Sequence, residues 1–310
     1  MKTKIILLAM TAVATFTACN SDGNDEPTAQ DSRTPIMLSA NAEAQNMTRA
    51  GQGLQNTQFK KGKDIDVQIY ATNINYDMLT YFTADNAGTL QPRKGVFPYY
   101  PTDQSSIRIV GIYPSGYMKA SEFSVQKISQ ASDDAYMKSD LMFADTSGVE
   151  PSANVVPLKF KHKMTKIQVN LSKEGGVKLA NSVVTLKGVK VTTAFNPQTG
   201  AVTIDGATGN GEDIIMTTNG SDPSAAIIVP QVKSSGILLE ISLQNNDVLH
   251  YKTVQDITFQ SGKVYTFNVK VIESNLTVTT TVAPWDTDSD GNGPTDANDD
   301  VEERLKLASN

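Results

Sequence analysis

The sequence predicts an all-β protein: two β-sandwich domains with one short helix. Three observations carry this. Short runs alternate apolar and polar side chains between Gly, Asn, Pro and Ser, the pattern of antiparallel strands. No long stretch repeats its apolar residues at the helical period of 3.6. Only 19% of the 310 residues are charged. Thr, Ser, Asn, Gly and Val are plentiful, which suits pleated, half-buried surfaces.

The strands follow in order. A first strand over 36–40 places Ile36, Leu38 and Ala40 on one face. Ile65, Val67 and Ile69 alternate with Asp64, Asp66, Gln68 and Tyr70, and Ile107 and Ile109 alternate with Ser106 and Arg108. The one helix is expected over 132–143. Ser132 can cap it, and Asp133 and Asp134 suit its positive end. Ile167, Val169 and Leu171 mark the next strand. Val189, Val191 and Thr193 form a run after Gly188, and Asn196-Pro197-Gln198-Thr199-Gly200 makes a turn into a strand over 201–205. Leu239, Ile241 and Leu243, then Tyr265, Phe267, Val269 and Val271, mark two more. Finally Leu276, Val278 and Val282 alternate with threonines over 276–284, giving a strand able to complete its own domain or to lie on a neighbour's edge. The change in texture near the long run 155–171 divides the body into sandwiches at 33–158 and 159–285. No repeat with a period of 20–50 residues is visible, which argues against solenoids and propellers.

The ends are of a different kind. Lys2 and Lys4 precede a short apolar stretch, Ile5-Ile6-Leu7-Leu8-Ala9-Met10, too short to span a bilayer. Residues 1–18 therefore read as an export signal. The stretch ends Phe16-Thr17-Ala18-Cys19, and Cys19 is the only cysteine. Small residues before a cysteine resemble the bacterial lipoprotein signal, which implies cleavage between Ala18 and Cys19 and acylation of Cys19. Phe16 stands where that signal usually has Leu. Two acyl chains suffice for stable anchoring. Residues 19–32 are polar and acidic and read as a tether. Acids directly after the cysteine resemble the surface-export signal of Bacteroidetes lipoproteins. Residues 286–310 carry eight acids against one Arg and one Lys, an acidic tail expected to be disordered.

Composition excludes several functions. The formal charge is −6, concentrated in the acidic ends, so the body has no excess of Lys and Arg for nucleic acid. Two His and one Cys argue against structural zinc, iron–sulfur clusters and disulfides. No nucleophile elbow or phosphate-cradling glycine loop is present, so no enzymatic activity, cofactor or metal is expected. Asp286-Thr287-Asp288-Ser289-Asp290-Gly291 matches the start of a calcium loop, but Ala297 stands where the bidentate Glu belongs. His162 and His250 lie on strands, where packing is expected rather than catalysis. Trp285 and the cluster Phe97-Pro98-Tyr99-Tyr100-Pro101 could stack on sugars, but suit a core plug and a packed loop better.

Several local patterns together resemble the fimbrillin (Mfa-like) family of Bacteroidetes pilus proteins. They are Thr48-Arg49-Ala50 with Phe59-Lys60-Lys61-Gly62-Lys63-Asp64-Ile65; Tyr99-Tyr100-Pro101; Ile112-Tyr113-Pro114; and Asp140-Leu141-Met142-Phe143-Ala144. Leu158-Lys159-Phe160-Lys161-His162-Lys163-Met164-Thr165-Lys166-Ile167 and the ending Tyr265-Thr266-Phe267-Asn268-Val269 … Pro284-Trp285 complete the set. The resemblance implies two tandem transthyretin-like (Greek-key) sandwiches and a type V pilus subunit or fimbria-associated lipoprotein. It implies surface fimbriae at the cell outer membrane as the location, and other fimbrial subunits as partners. A host or bacterial surface ligand is a further possible partner. It also implies a protease cut after an Arg that follows the first strand, here between Arg49 and Ala50. Loss of that strand would open a groove for a neighbour's C-terminal strand, represented here by Leu276, Val278 and Val282. The 25 polar residues after Trp285 depart from the shaft-subunit pattern. A surface glycan-binding lipoprotein is the alternative function.

Overall fold

The computed structural model describes residues 33–42, 59–176, 178–217, 223–272 and 275–286. The protein is all-β, with one short helix. The first strands are β1 (Leu38–Ala42), β2 (Asp64–Tyr70), β3 (Leu79–Thr83), β4 (Thr89–Pro92) and β5 (Ile107–Tyr113). Then come β6 (Glu122–Ser124), β7 (Ile128–Ser129), helix α1 (Asp133–Lys138), β8 (Met142–Val149) and β9 (Val156–His162). Seven of these strands hydrogen-bond in a closed ring, in the order β1-β4-β3-β2-β5-β8-β9. Parallel pairing of β1 with β9, from Leu38 opposite Val156 to Ala42 opposite Phe160, closes it. Alternation decides what faces in. On β9, Val156, Leu158, Phe160 and His162 are buried while Pro157, Lys159 and Lys161 are exposed. Inside the ring Phe59 meets Tyr113 and Phe160 edge-on, at 5.2 and 5.1 Å between ring centroids.

The chain continues through β10 (Thr165–Glu174), β11 (Val183–Val189), β12 (Thr192–Asn196), β13 (Ala201–Thr208), β14 (Glu212–Ile215) and β15 (Ser224–Ile228). The last strands are β16 (Gln231–Lys233), β17 (Gly236–Ser242), β18 (Val248–Thr253), β19 (Ile257–Phe259), β20 (Lys263–Ile272) and β21 (Asn275–Pro284). One sheet has the order β15-β10-β20-β21 and another the order β18-β17-β11-β14-β7. Their apolar faces contribute to a second core, with Ile167, Val169, Phe267 and Val269 from the first and Leu186, Ile214, Leu239 and Ile241 from the second.

The two halves interlock. β6 pairs with β12 and β7 with β14. The second core also takes Val110, Ile112, Phe123, Tyr136, Leu141 and Phe143 from the first half. The expected division at 158/159 falls within β9, and only Lys163 and Met164 separate β9 from β10.

Three local expectations shift. The helix ends at Lys138 instead of reaching 143. Ser132 caps its start by accepting from the Ala135 N–H at 3.2 Å. At its end the Ser139 hydroxyl donates to the Ala135 carbonyl, and the Asp140 carboxylate turns inward to His162. Met142 and Phe143 then pair in register with β5 and β9, so ladder bonds replace helical ones. The run 189–193 splits into the end of β11 and the start of β12. The first strand begins at Leu38, but Ile36, Leu38 and Ala40 are all buried on one face as expected.

Candidate strand-exchange site

β1 is the element on which a strand-exchange reading depends. Ile36, Leu38 and Ala40 are 0%, 1% and 0% exposed, so the strand's apolar row is wholly inside the ring. Its neighbours are β4, paired antiparallel at Leu38–Leu90 and Ser39–Thr89, and β9. Gly88 explains how closely the strand is held. The Ala40 N–H donates to the Gly88 carbonyl at 2.8 Å. A Cβ at Gly88 would lie 2.1 Å from the Ala40 carbonyl oxygen, and its φ of +86° favours glycine. Burying Ile36 and Leu38 contributes roughly 1.5–3 kcal/mol each. Removing β1 would expose Leu90, Val156, Leu158 and Phe160 of the ring core. Such a groove would need a replacement strand with alternate apolar side chains. Arg49 and Ala50 lie outside the described residues, as do Ala18 and Cys19.

β21 is the other element. It pairs antiparallel with β20 over ten residue pairs, from Lys263–Pro284 to Ile272–Asn275. It ends its sheet, and among the described residues no strand pairs with its outer edge. Val278 is buried, Leu276 is half-buried against the second core, and Val282 is 41% exposed. The three therefore lie on one strand without forming one continuous buried row. The far edge of the same sheet is closed. There the buried Gln130 amide donates to the Ile227 carbonyl and accepts from the Ile227 N–H, both at 2.7 Å. A side chain thus satisfies backbone groups that a further strand would otherwise seek.

The strand β21 terminates in a buried polar cluster that the sequence did not reveal. Trp285 is 1% exposed and its ring stacks on that of His162, 4.1 Å between centroids and 2° between planes. The Trp285 backbone N–H donates to the Gly262 carbonyl at 2.7 Å. His162 Nδ1 lies 2.8 Å from Asp140 Oδ1, and the His162 backbone N–H donates to Asp286 Oδ2 at 2.8 Å. Lys166 Nζ sits 5.8 Å from the Trp285 ring centre. Burial works against the charged imidazole, but the Asp140 carboxylate overcomes it and raises the His162 pKa; Asp286 acts the same way. Burial lowers the Lys166 ammonium to about 8, against the pull of Asp140. Asp140, 22 residues before His162 and next to a helix end, offered only one signal, its place in the Asp-Leu-Met-Phe-Ala pattern.

The remaining candidates have structural settings. His250 is exposed on β18, with Nε2 3.1 Å from Glu240. Tyr100 is buried in the ring core, and its N–H donates to the Thr34 carbonyl. The Arg33 guanidinium covers Tyr99 at 4.7 Å. Of the calcium-like loop only Asp286 is described, bonded to His162.

A family model described as fimbrillin-like matches residues 48–285. No curated protein matches. A candidate cell adhesion protein of Bacteroides uniformis superposes with a TM-score of 0.64 at 20% identity, covering 84% of this chain and 100% of its own. One of Bacteroides ovatus superposes with a TM-score of 0.66 at 23% identity, covering 82% and 98%. These likenesses concern the fold. The family match spans the ring from β2 onward and the sheets beyond it, to Trp285, and so the chain belongs to the fimbrillin-like family.

Proposed function

We propose that this protein is a structural subunit or accessory protein of cell-surface fimbriae, exported as a lipoprotein through Cys19, assembled by strand exchange and acting in adhesion. The observation that carries the reading is β1. It is a short strand with a fully buried apolar row, joined to β2 through a segment that contains Arg49. A single cut after Arg49 would leave β1 held only by non-covalent contacts. Its loss would leave a groove of the shape and polarity that an alternating strand fills. The family membership supports the fimbrial setting.

The test is maturation on the cell surface. Surface fibres containing this protein should yield an N-terminus at Ala50, and Arg49→Ala should block both the cut and incorporation. Fibres whose subunits begin only at Cys19 would overturn strand loss at this site. Fatty-acid labelling that disappears in Cys19→Ala supports the anchor, and equal labelling of mutant and wild type refutes it.

A further inference from the structure

We propose that the stack of Trp285 on His162 is a pH-sensitive latch, closed while the imidazole carries its second proton, that fastens the end of β21 to β9.

The ladder between β20 and β21 ends at Pro284, and the next two residues turn onto His162. Trp285 lies flat on the imidazole, and Asp286 Oδ2 accepts from the His162 backbone N–H. Among the described residues the buried indole N–H has no acceptor, so the ring's place rests on the stack and not on a bond of its own. A change in the imidazole therefore acts directly on the end of the strand.

The imidazole sets the charge balance of this site. Asp140, between α1 and β8, and Asp286, after β21, face it with carboxylates, and Lys166 on β10 faces it with an ammonium. Lys161 and Lys163 flank it in the chain, Lys263 lies opposite Pro284, and Tyr113 and Tyr136 face Asp140. Asp140 Oδ1 is 2.8 Å from Nδ1, and Asp286 Oδ1 is 3.7 Å from Nε2. An ionised carboxylate only accepts, so a neutral ring keeps its one proton on Nδ1 and turns a lone pair toward Asp286. A charged ring presents an N–H to both carboxylates and stacks on the indole as a cation. Water cannot compensate inside the cluster, where His162, Asp140 and Trp285 are all buried. Of the two carboxylates, Asp140 is fully buried and Asp286 is 14% exposed at a strand end, so Asp286 is the one that yields. The proposal does not depend on the fimbrial reading.

Trp285 is the only tryptophan, so its fluorescence in the full chain reads the latch directly. As pH rises between about 6 and 9, its emission maximum should move to longer wavelength and its quenching by acrylamide should increase several-fold. The midpoint should coincide with titration of the His162 ring followed by NMR. Over the same range the Trp285 amide should lose exchange protection relative to Phe267 on β20. His162→Gln should abolish the transition. In Asp286→Asn the side-chain amide can donate to the neutral Nε2, so the ring should still titrate while the emission no longer follows it. An emission maximum and a quenching constant that stay fixed while His162 titrates would overturn the latch. So would a full transition in either variant, or an equal loss of protection at Phe267, which would mean loosening of the whole sheet.

Discussion

At the scale of single residues, the cluster at His162 has the most distinctive chemistry. It sets two opposite pH dependences. The His162 pKa is raised in the folded protein, so its contribution to stability is complete below its unfolded value of about 6.5 and is lost as pH rises through the higher folded value. Lys166 is the reverse. Its folded pKa of about 8 lies below the unfolded value, so the unfolded chain binds more protons between about 8 and 10.5, and stability rises across that window. Urea unfolding across pH 6–10 should therefore show a fall followed by a rise. His162→Gln should remove the fall, and Lys166→Met the rise. A pH profile identical in all three proteins would contradict this placement of charge. Trp285 contributes differently, by filling space. Truncating a buried Trp costs about 3–5 kcal/mol, and Trp285→Ala should show such a loss in the same denaturation series.

At the scale of elements, β1 and β21 behave differently. β1 is held from both sides, and its grip depends on Gly88. In Gly88→Ala the new methyl would collide with the Ala40 carbonyl and meet an unfavourable φ. Amide hydrogens of β1 should then exchange faster while those of β17 and β20 do not change. Uniformly faster exchange would mean that β1 does not open independently of the rest. β21 has an open outer edge but a buried Val278 and a ten-pair ladder to β20. It completes its own sheet in this structure. Deleting 275–310 should therefore lower the melting temperature by more than about 10 °C, given the loss of Val278, Trp285 and the ladder. A folded deletion variant with an unchanged melting temperature would identify β21 as dispensable to its own subunit, as expected of a strand destined for a neighbour.

At the scale of the whole molecule, the ring and the sheets beyond it are joined by more than the chain. Arg108 on β5 binds Asp145 through two nitrogens, at 2.8 and 2.7 Å, and its guanidinium also donates to the Gln198 carbonyl in the β12–β13 turn at 2.6 Å. In the same turn Gly200 faces Phe143, where a Cβ would lie 2.4 Å from the ring. With β6 and β7 also crossing between halves, thermal unfolding should give one cooperative transition. Gly200→Ala should move that whole transition to lower temperature. Two resolved transitions, with only one moved by Gly200→Ala, would instead support two independently stable sandwiches as a description of folding.

The sequence by itself determined the strand content, because period-2 alternation records directly which side chains must leave water. It thereby placed Ile36, Leu38 and Ala40 on one buried face, put β2 at its observed bounds and marked the turn before β13. It also favoured a plug over a sugar platform for Trp285, since a large ring that ends a strand gains most from burial. Only the tertiary structure decided which strands pair. Alternation is the same for parallel and antiparallel neighbours, so nothing local announced that β9 would close on β1, or that β7 would join β14. It also decided where the helix ends. Leu141 and Met142 are good helix formers, but Asp140 is buried against His162, and Met142 and Phe143 pair with β5 and β9 in place of another helical turn. The His162 cluster was invisible for the same reason. Its members come from a helix end, β9, β10 and the residues after β21, and charges so distant along the chain become partners only when folding removes the water between them.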